Sequence, residues 1–304
     1  MDDGDRREDS FRSGFVAIIG RPNTGKSTLL NFLARRKVAI ISDKPQTTRH
    51  SIRAILNLEN AQIIFIDTPG LHKPRDPLGE HLNRAVRNTL RDVDAVVFIV
   101  DASQVIGSGD LFIANELSSL STPKILVLNK VDKLTQQYIE VQMEIARQLG
   151  EFDDIFPISA ATGQDIDKLV EKMVELLPEG PRYYPGDVIT DQPERVIAAE
   201  FIREKVLELT REEVPHGVAV EVQEMKPRKG REIVDIFATI FVERESQKGI
   251  LIGKGGRMLK EIGSRARSEI EQLLGSQVFL DLRVRVKKDW RKEERYIKQF
   301  GYME

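Results

Sequence analysis

Short apolar runs rich in β-branched residues recur at 15–19, 63–66, 95–100 and 125–128, each bounded by Gly, Pro, Asp or Asn. Amphipathic stretches lie between them, at 27–36, 79–91 and 138–149. A strand that is apolar along its whole length is buried on both faces, the mark of a parallel sheet covered by helices. Residues 51–58 alternate instead, with Ile52, Ala54, Leu56 and Leu58 on one side. They predict an edge or antiparallel strand leading into 63–66. The pattern as a whole predicts a doubly wound α/β domain over residues 14–178.

The pattern then changes. Residues 177–186 hold three prolines and two glycines, which interrupt any helix and predict a semi-rigid linker over 179–194. Residues 195–304 form a second, α+β domain in the order helix, strand, strand, helix, helix, strand, helix. The first helix, 193–213, places Val196, Ala199, Ile202, Val206 and Leu209 on one face. Strands at 217–225 and 233–242 flank a basic turn, and a short helix at 246–252 precedes a longer one at 257–274. The strand at 278–287 alternates Leu280, Leu282, Val284 and Val286 with Asp281, Arg283, Arg285 and Lys287. A charged helix at 290–298 closes the chain.

Composition agrees with two packed domains. The 304 residues are 40% hydrophobic and 31% charged, which excludes disorder of the whole chain. There is no cysteine, so disulfide scaffolds, Cys-ligated zinc, iron–sulfur clusters and thiol nucleophiles are excluded together. Residues 1–13 carry five acidic and three basic side chains. They predict a solvated, disordered tail and not a targeting peptide. No apolar run approaches the roughly 18 residues of a membrane helix. A cytoplasmic protein with no integral anchor is expected.

The candidate chemistry begins directly after the first strand. Gly20-Arg21-Pro22-Asn23-Thr24-Gly25-Lys26-Ser27 fits G-x-x-x-x-G-K-[ST]. Its glycines let the backbone curl so that several N–H groups point at a phosphate chain, and the following helix adds its positive end. Lys26 supplies charge to the β- and γ-phosphates, and the Ser27 hydroxyl is a Mg²⁺ ligand. After strand 63–66 comes Asp67-Thr68-Pro69-Gly70. Asp67 is placed to hold the Mg²⁺, and the Gly70 N–H to meet the γ-phosphate.

The base is read elsewhere. Asn129-Lys130-Val131-Asp132 ends strand 125–128, 103 residues after Lys26. The Asp132 carboxylate can accept from N1–H and N2–H₂ of guanine, a pattern adenine does not offer. Asn129 can bond the other edge of the base while the Lys130 stem covers its face. In Ser159-Ala160-Ala161 a backbone N–H can reach guanine O6. Together these segments predict a P-loop GTPase that binds GTP and GDP with Mg²⁺. Gln46-Thr47-Thr48-Arg49 lies where such proteins carry the first switch, and either Thr47 or Thr48 would complete the Mg²⁺ sphere.

Leu71 bears on the rate. Ras-like enzymes place a glutamine after the DxxG glycine to orient the attacking water. Leucine can do no such thing, so hydrolysis is slow or the water is placed by other groups. His72 follows, but phosphoryl transfer needs positioning more than a strong base.

In the second half, Ile252 leads into Gly253-Lys254-Gly255-Gly256 and then a helix. An apolar run, G-x-x-G and a helix are the pattern of a KH RNA-binding domain, whose bare loop backbone meets the phosphates of a single strand about four nucleotides long. Lys254, Arg257 and Lys260 cluster there as candidates for backbone contacts. The net charge of −2 hides an asymmetry: 244–298 carries 15 Lys+Arg and 8 Asp+Glu, a net +7 that leaves −9 for the rest. A basic segment on an acidic chain is the footprint of phosphate binding.

GRPNTGKS at 20–27, PQTTR at 45–49, DTPGLHKP at 67–74, NKVD at 129–132, SA at 159–160 and the GKGG loop give a chain that resembles the Era family, in the TrmE–Era–EngA–YihA group of P-loop GTPases. The resemblance covers nearly all of the chain beyond the tail, and the element order of its second half resembles a type II KH domain. It implies binding to 16S ribosomal RNA near its 3′ end, assistance to small (30S) subunit assembly, a monomer, and loose peripheral contact with the cell membrane in some settings. In related GTPases an asparagine at the place of Asn23 ligates a K⁺ that replaces an arginine finger, so the resemblance suggests K⁺-stimulated turnover here. A plain loop-stabilising amide is the other reading of Asn23. Two further readings stay open: a translation-type GTPase whose second domain binds protein, and a structural ribosome component with vestigial hydrolysis.

Overall fold

The structure, a computed structural model, describes residues 11–44, 47–49, 51–71, 74, 76–211 and 214–302. The chain divides into two compact units. The first comprises the described residues up to Arg36, Ser51–Leu71 and Val86–Asp191. The second takes Gln192 onward together with the described residues of Lys37–His50 and His72–Ala85.

The first unit is built on a six-stranded sheet in the order β2-β3-β1-β4-β5-β6. Its strands are β1 (Arg12–Ile19), β2 (Ile52–Asn57), β3 (Ala61–Asp67), β4 (Ala95–Asp101), β5 (Lys124–Asn129) and β6 (Asp154–Pro157). Every neighbouring pair is parallel except β2 with β3. The continuous apolar runs became the buried strands and the alternating run became the antiparallel edge, as their periodicities require. Helices α1 (Lys26–Leu33), α2 (Pro77–Thr89), α3 (Ser108–Ser118), α4 (Gln136–Arg147) and α5 (Ile166–Leu176) alternate with the strands. β1 starts at Arg12, so Arg12 and Ser13 are strand and not tail; residues 1–10 of the expected tail lie outside the described residues.

The proline-rich linker does not hang free. Gln62 on β3 donates to the carbonyl of Tyr184 (2.8 Å) and accepts from the backbone N–H of Tyr183 and Tyr184. The Ile55 N–H donates to the carbonyl of Ile189 (2.9 Å), and the Tyr183 ring lies 5.2 Å from that of Phe15. The segment through Asp191 is thus pinned to β2 and β3 and belongs to the first unit.

The second unit carries a three-stranded sheet, β7 (Ala219–Pro227), β8 (Ile233–Val242) and β9 (Gln277–Val286), with β7 antiparallel and β9 parallel to central β8. Helices α6 (Glu194–Leu209), α7 (Glu245–Ile252) and α8 (Arg257–Leu274) pack with it around a core that includes Phe201, Ile202, Ile240, Ile262 and Ala266. A second cluster gathers Leu78, Leu82, Phe241, Phe300 and the fully buried Trp290. The predicted closing helix is a 3₁₀ turn, Trp290–Lys292, followed by α9 (Glu294–Gln299). Ile40 joins the main core as well. Burial of Ile40, Leu78 and Leu82 is the physical reason why the described residues of 37–50 and 72–85 group with the C-terminal half, although they lie inside the 14–178 span. Among the described residues no helix is long and apolar enough to cross a membrane.

Candidate nucleotide-binding site and RNA-contact loop

In the first unit every candidate segment leaves the carboxyl end of a parallel strand, where open α/β sheets place their ligands. The loop 20–25 follows β1, Asp67 ends β3, Asn129 ends β5, and Ser159 comes two residues after β6. Gly25 is left-handed (φ 99°), and a Cβ there would stand 2.2 Å from Asn129 Nδ2. A Cβ on Gly70 would stand 2.8 Å from the backbone nitrogen of Pro22. Backbone approach of this closeness leaves room for glycine only.

Lys26 is buried across the loop, donating to the carbonyls of Arg21 (2.8 Å) and Gly20 (3.2 Å). Burial lowers its pKa to about 8, against an opposing pull from the Asp67 carboxylate. The Ser27 hydroxyl donates to Asp67 Oδ2 at 2.7 Å, and Asp67 is fully buried. Two hard oxygen donors therefore converge opposite an ammonium, a set that suits Mg²⁺ with phosphate oxygens. No group of three or more His, Asp or Glu side chains among the described residues is placed to hold a metal ion by itself, and an Mg²⁺ shared with phosphates needs none. Thr68 donates to the carbonyl of Ile18 (2.9 Å), and Leu71 is buried in the apolar core of the unit. Asn23 is exposed and left-handed (φ 67°). Thr47 and Thr48 belong to the second unit; Gln46 and His72 lie outside the described residues.

Asn129 does more than the sequence suggests. Its Nδ2 donates to the carbonyl of Thr24 (2.8 Å) and its Oδ1 accepts from the Ala160 N–H (2.9 Å). It thereby ties the phosphate loop to the 159–161 loop. Ser159 donates to Asp132 Oδ1 at 2.6 Å, which aims the solvent-facing carboxylate. The N–H groups of Ser159 and Ala160 are engaged by the Gln164 carbonyl (3.2 Å) and Asn129 Oδ1 (2.9 Å). Val131 is buried and donates to the carbonyl of Ile158 (3.2 Å). Lys130, left-handed at φ 70°, donates to the Asn23 carbonyl (2.7 Å) and to Asp101 (2.6 Å).

Asp101 and Asp110 are carboxylates beside the candidate loops that the motifs do not name. Asp110 pairs with Arg21 (3.0 Å) and accepts from the Gly107 N–H, capping α3. Asp101 had one signal: it closes the strand that lies between two site-bearing strands.

In the second unit α7 ends at Gly253 (φ 70°), and Gly255 and Gly256 are left-handed at 62° and 78° before α8 begins. A Cβ on Gly253 would meet the Met258 Cβ at 2.8 Å, whereas one on Gly255 or Gly256 would meet nothing within 4 Å. The tip of the loop is open, with Lys254, Arg257 and Lys260 exposed around it and Ile252 half-buried beneath.

A family model described as 50S ribosome-binding GTPase matches residues 15–130, and one described as KH domain matches residues 213–291. The GTPase Era of Alkaliphilus metalliredigens (strain QYMF) is 52% identical over 293 residues, covering 96% of this chain and 99% of that protein. The GTPase Era of Carboxydothermus hydrogenoformans is 53% identical over 298 residues, covering 97% and 99%. A solved structure of Era in complex with MgGDPNP and nucleotides 1506–1542 of 16S ribosomal RNA is 43% identical, with a TM-score of 0.93 over 97% of this chain and 100% of that one. An Aquifex aeolicus Era variant bound to GDP and AlF₄⁻ is 42% identical, with the same TM-score and coverage.

Proposed function

The chain belongs to the Era GTPase family, and on that premise we propose that it is a slow GTP-hydrolysing switch that binds 16S ribosomal RNA near its 3′ end and assists assembly of the 30S subunit. The observation that carries this reading is the Asn129 bracket. A phosphate loop is tied to a guanine-reading loop, in a chain that also exposes an open G-x-x-G tip flanked by three cations.

Lys26 places charge on the transferring phosphoryl group, the loop N–H groups hold it in line, and the Gly70 N–H meets its γ-oxygens. Ser27, Asp67 and one of Thr47 and Thr48 would hold Mg²⁺, which would supply positive charge to the phosphates. Leu71 leaves the attacking water to other groups, so the intrinsic rate is low. Asn23, exposed in the phosphate loop, would be the ligand for a stimulating K⁺. At the other site the glycine backbone meets RNA phosphates, with Lys254, Arg257 and Lys260 adding charge.

The test is a multiple-turnover GTPase assay in K⁺ and in Na⁺, run beside binding of the 1506–1542 RNA. Magnesium-dependent hydrolysis that K⁺ accelerates and Asn23→Ala makes cation-indifferent is expected. RNA binding that Gly255→Asp abolishes is expected too. Equal rates in the two buffers remove the K⁺ part, and RNA binding that survives Gly255→Asp removes the loop assignment. Action as a monomer is checked by sedimentation. Peripheral membrane contact rests on the family resemblance alone; co-sedimentation with anionic vesicles tests it.

A further inference from the structure

Asn23 and Lys130 share a conformation that side-chain-bearing residues avoid. Both lie in the left-handed region, at φ 67° and 70°. Such backbone is strained and persists where surrounding contacts hold it. Here the two residues hold one another, since the Lys130 ammonium donates to the Asn23 carbonyl at 2.7 Å. The same ammonium donates to Asp101 Oδ2 at 2.6 Å. The charge of Asp101 runs against the expected ligand. A carboxylate one ammonium away from a phosphate loop repels a polyphosphate, so its place there calls for a compensating task.

The sheet dictates where that carboxylate stands. Parallel β4 and β5 pair Asp101 with Asn129, and the Ala102 N–H donates to the Asn129 carbonyl at 2.9 Å. Asp101 therefore ends its strand beside the residue that precedes Lys130. Ser103 settles which oxygen is offered. Its N–H (3.0 Å) and its hydroxyl (2.6 Å) both donate to Oδ1, which leaves Oδ2 to Lys130. The side chains of Asp101 and Lys130 are 15% and 25% exposed, so the pair is partly withdrawn from water and only weakly screened by salt. Asp110 is the contrast. It pairs with Arg21, but it also caps α3 through the Gly107 N–H, and the cap accounts for its place. All of these residues lie in the first unit.

We propose that Asp101, oriented by Ser103, is a positioning residue for the guanine nucleotide. It holds the Lys130 ammonium against the Asn23 carbonyl, so that the phosphate loop and the 129–132 loop keep a fixed spacing before the nucleotide arrives. The Lys130 stem is then already in place for the face of the base. The inference rests on the GTPase reading above. A free lysine loses rotamer freedom when a ligand packs on its stem, and a lysine already held does not. Repulsion opposes this gain, but the carboxylate meets the phosphates as one half of a neutral pair, which removes most of the repulsion.

The two effects of Asp101 have opposite signs, and the full chain separates them. Asp101→Asn keeps the shape and removes the charge. Repulsion alone predicts tighter binding of GDP by this variant. Positioning predicts binding about tenfold weaker, read as faster release of a fluorescent GDP. Lys130→Met keeps the stem and removes the ammonium. In that background Asp101→Asn is expected to weaken GDP binding no further, because the group through which Asp101 acts is gone. Unchanged or tighter GDP binding by folded Asp101→Asn overturns the proposal. So does an equal weakening in both backgrounds, which places the effect of Asp101 on the fold and not on Lys130. Amine acetylation of the nucleotide-free wild-type chain, read by mass spectrometry, covers the case where the variant does not fold. Lys130 is expected to react more slowly than the exposed Lys133, and equal reactivity overturns the proposal. A wild-type chain that binds no GDP fails the GTPase reading instead, and the acetylation result then decides the brace by itself.

Discussion

At the scale of single residues, the polar atoms of the nucleotide site serve two tasks at once. Lys26 is at hand for phosphates because it is buried, and burial is what lowers its pKa to about 8. Bound phosphate favours the charged form, so the complex keeps the proton to higher pH than the free protein does. GDP affinity is expected to be flat below pH 8 and to fall by up to about tenfold per pH unit above it, as a fluorescent-GDP titration from pH 7 to 9.5 will report. For nucleotide-free stability the sign reverses. The unfolded lysine holds its proton up to about 10.5, so unfolding takes up a proton between pH 8 and 10.5 and stability rises with pH across that window. Asn129 makes a second prediction. Truncation to alanine orphans the Thr24 carbonyl and the Ala160 N–H, each worth about 1–3 kcal/mol when buried. The first unit is expected to lose about 2–5 kcal/mol in thermal melts, and GDP affinity to fall more than tenfold. Asn129→Asp keeps an acceptor for the Ala160 N–H but sets a carboxylate against the Thr24 carbonyl, so it is expected to be no better than alanine. The motif spacing singles out Asn129 as a candidate for base contact. Its bracing role was illegible, because the two atoms that it joins lie 105 and 31 residues away along the chain.

At the scale of elements, periodicity read the strands well and the helix environments less well. The buried strands of the first sheet announced themselves by composition, since a strand covered on both faces has no polar side to show. Helix α6 did not. Of its predicted face only Ile202 and Val206 are buried, with Val196, Ala199 and Leu209 half-buried, while Ile197, Ala198, Phe201 and Leu207 are buried as well; charged residues in turn say only that a position is polar, not whether water or a neighbour satisfies it. The linker was opaque for a related reason: prolines and glycines foretell a break, not that Gln62 will hold the segment to a sheet edge. The G-x-x-G loop shows how one motif contains unlike glycines. Gly253→Ala places a Cβ 2.8 Å from that of Met258 in a left-handed conformation, so a stability loss of about 1–3 kcal/mol is expected in a chemical-denaturation series. Gly255→Ala meets open space, and only the left-handed strain, about 1 kcal/mol, stands against it. Its larger effect is expected on RNA affinity, where a methyl group stands between backbone and phosphate. Equal stability losses at the two positions would contradict this division of labour.

At the scale of the whole molecule, net charge conceals function until it is resolved along the chain. A protein of charge −2 gives RNA no general attraction, so its electrostatics must act locally, through the +7 segment at 244–298. Lys254, Arg257 and Lys260 are exposed around the open loop tip. If these three neutralise three phosphates of a single strand, log affinity falls with log salt at a slope of about −2. Raising salt from about 50 to 200 mM then weakens RNA binding roughly fifteenfold. Replacing all three by glutamine is expected to remove about 2 from the measured slope, while leaving the salt response of GDP binding unchanged, because the phosphate loop carries its own cation in Lys26. Fluorescence anisotropy with the 1506–1542 RNA at four salt concentrations gives both slopes. A slope that the triple substitution leaves intact would move the electrostatic contact away from the glycine loop, onto basic side chains such as Arg283 and Arg285 of β9, and the charge asymmetry would then mark a different face of the same unit.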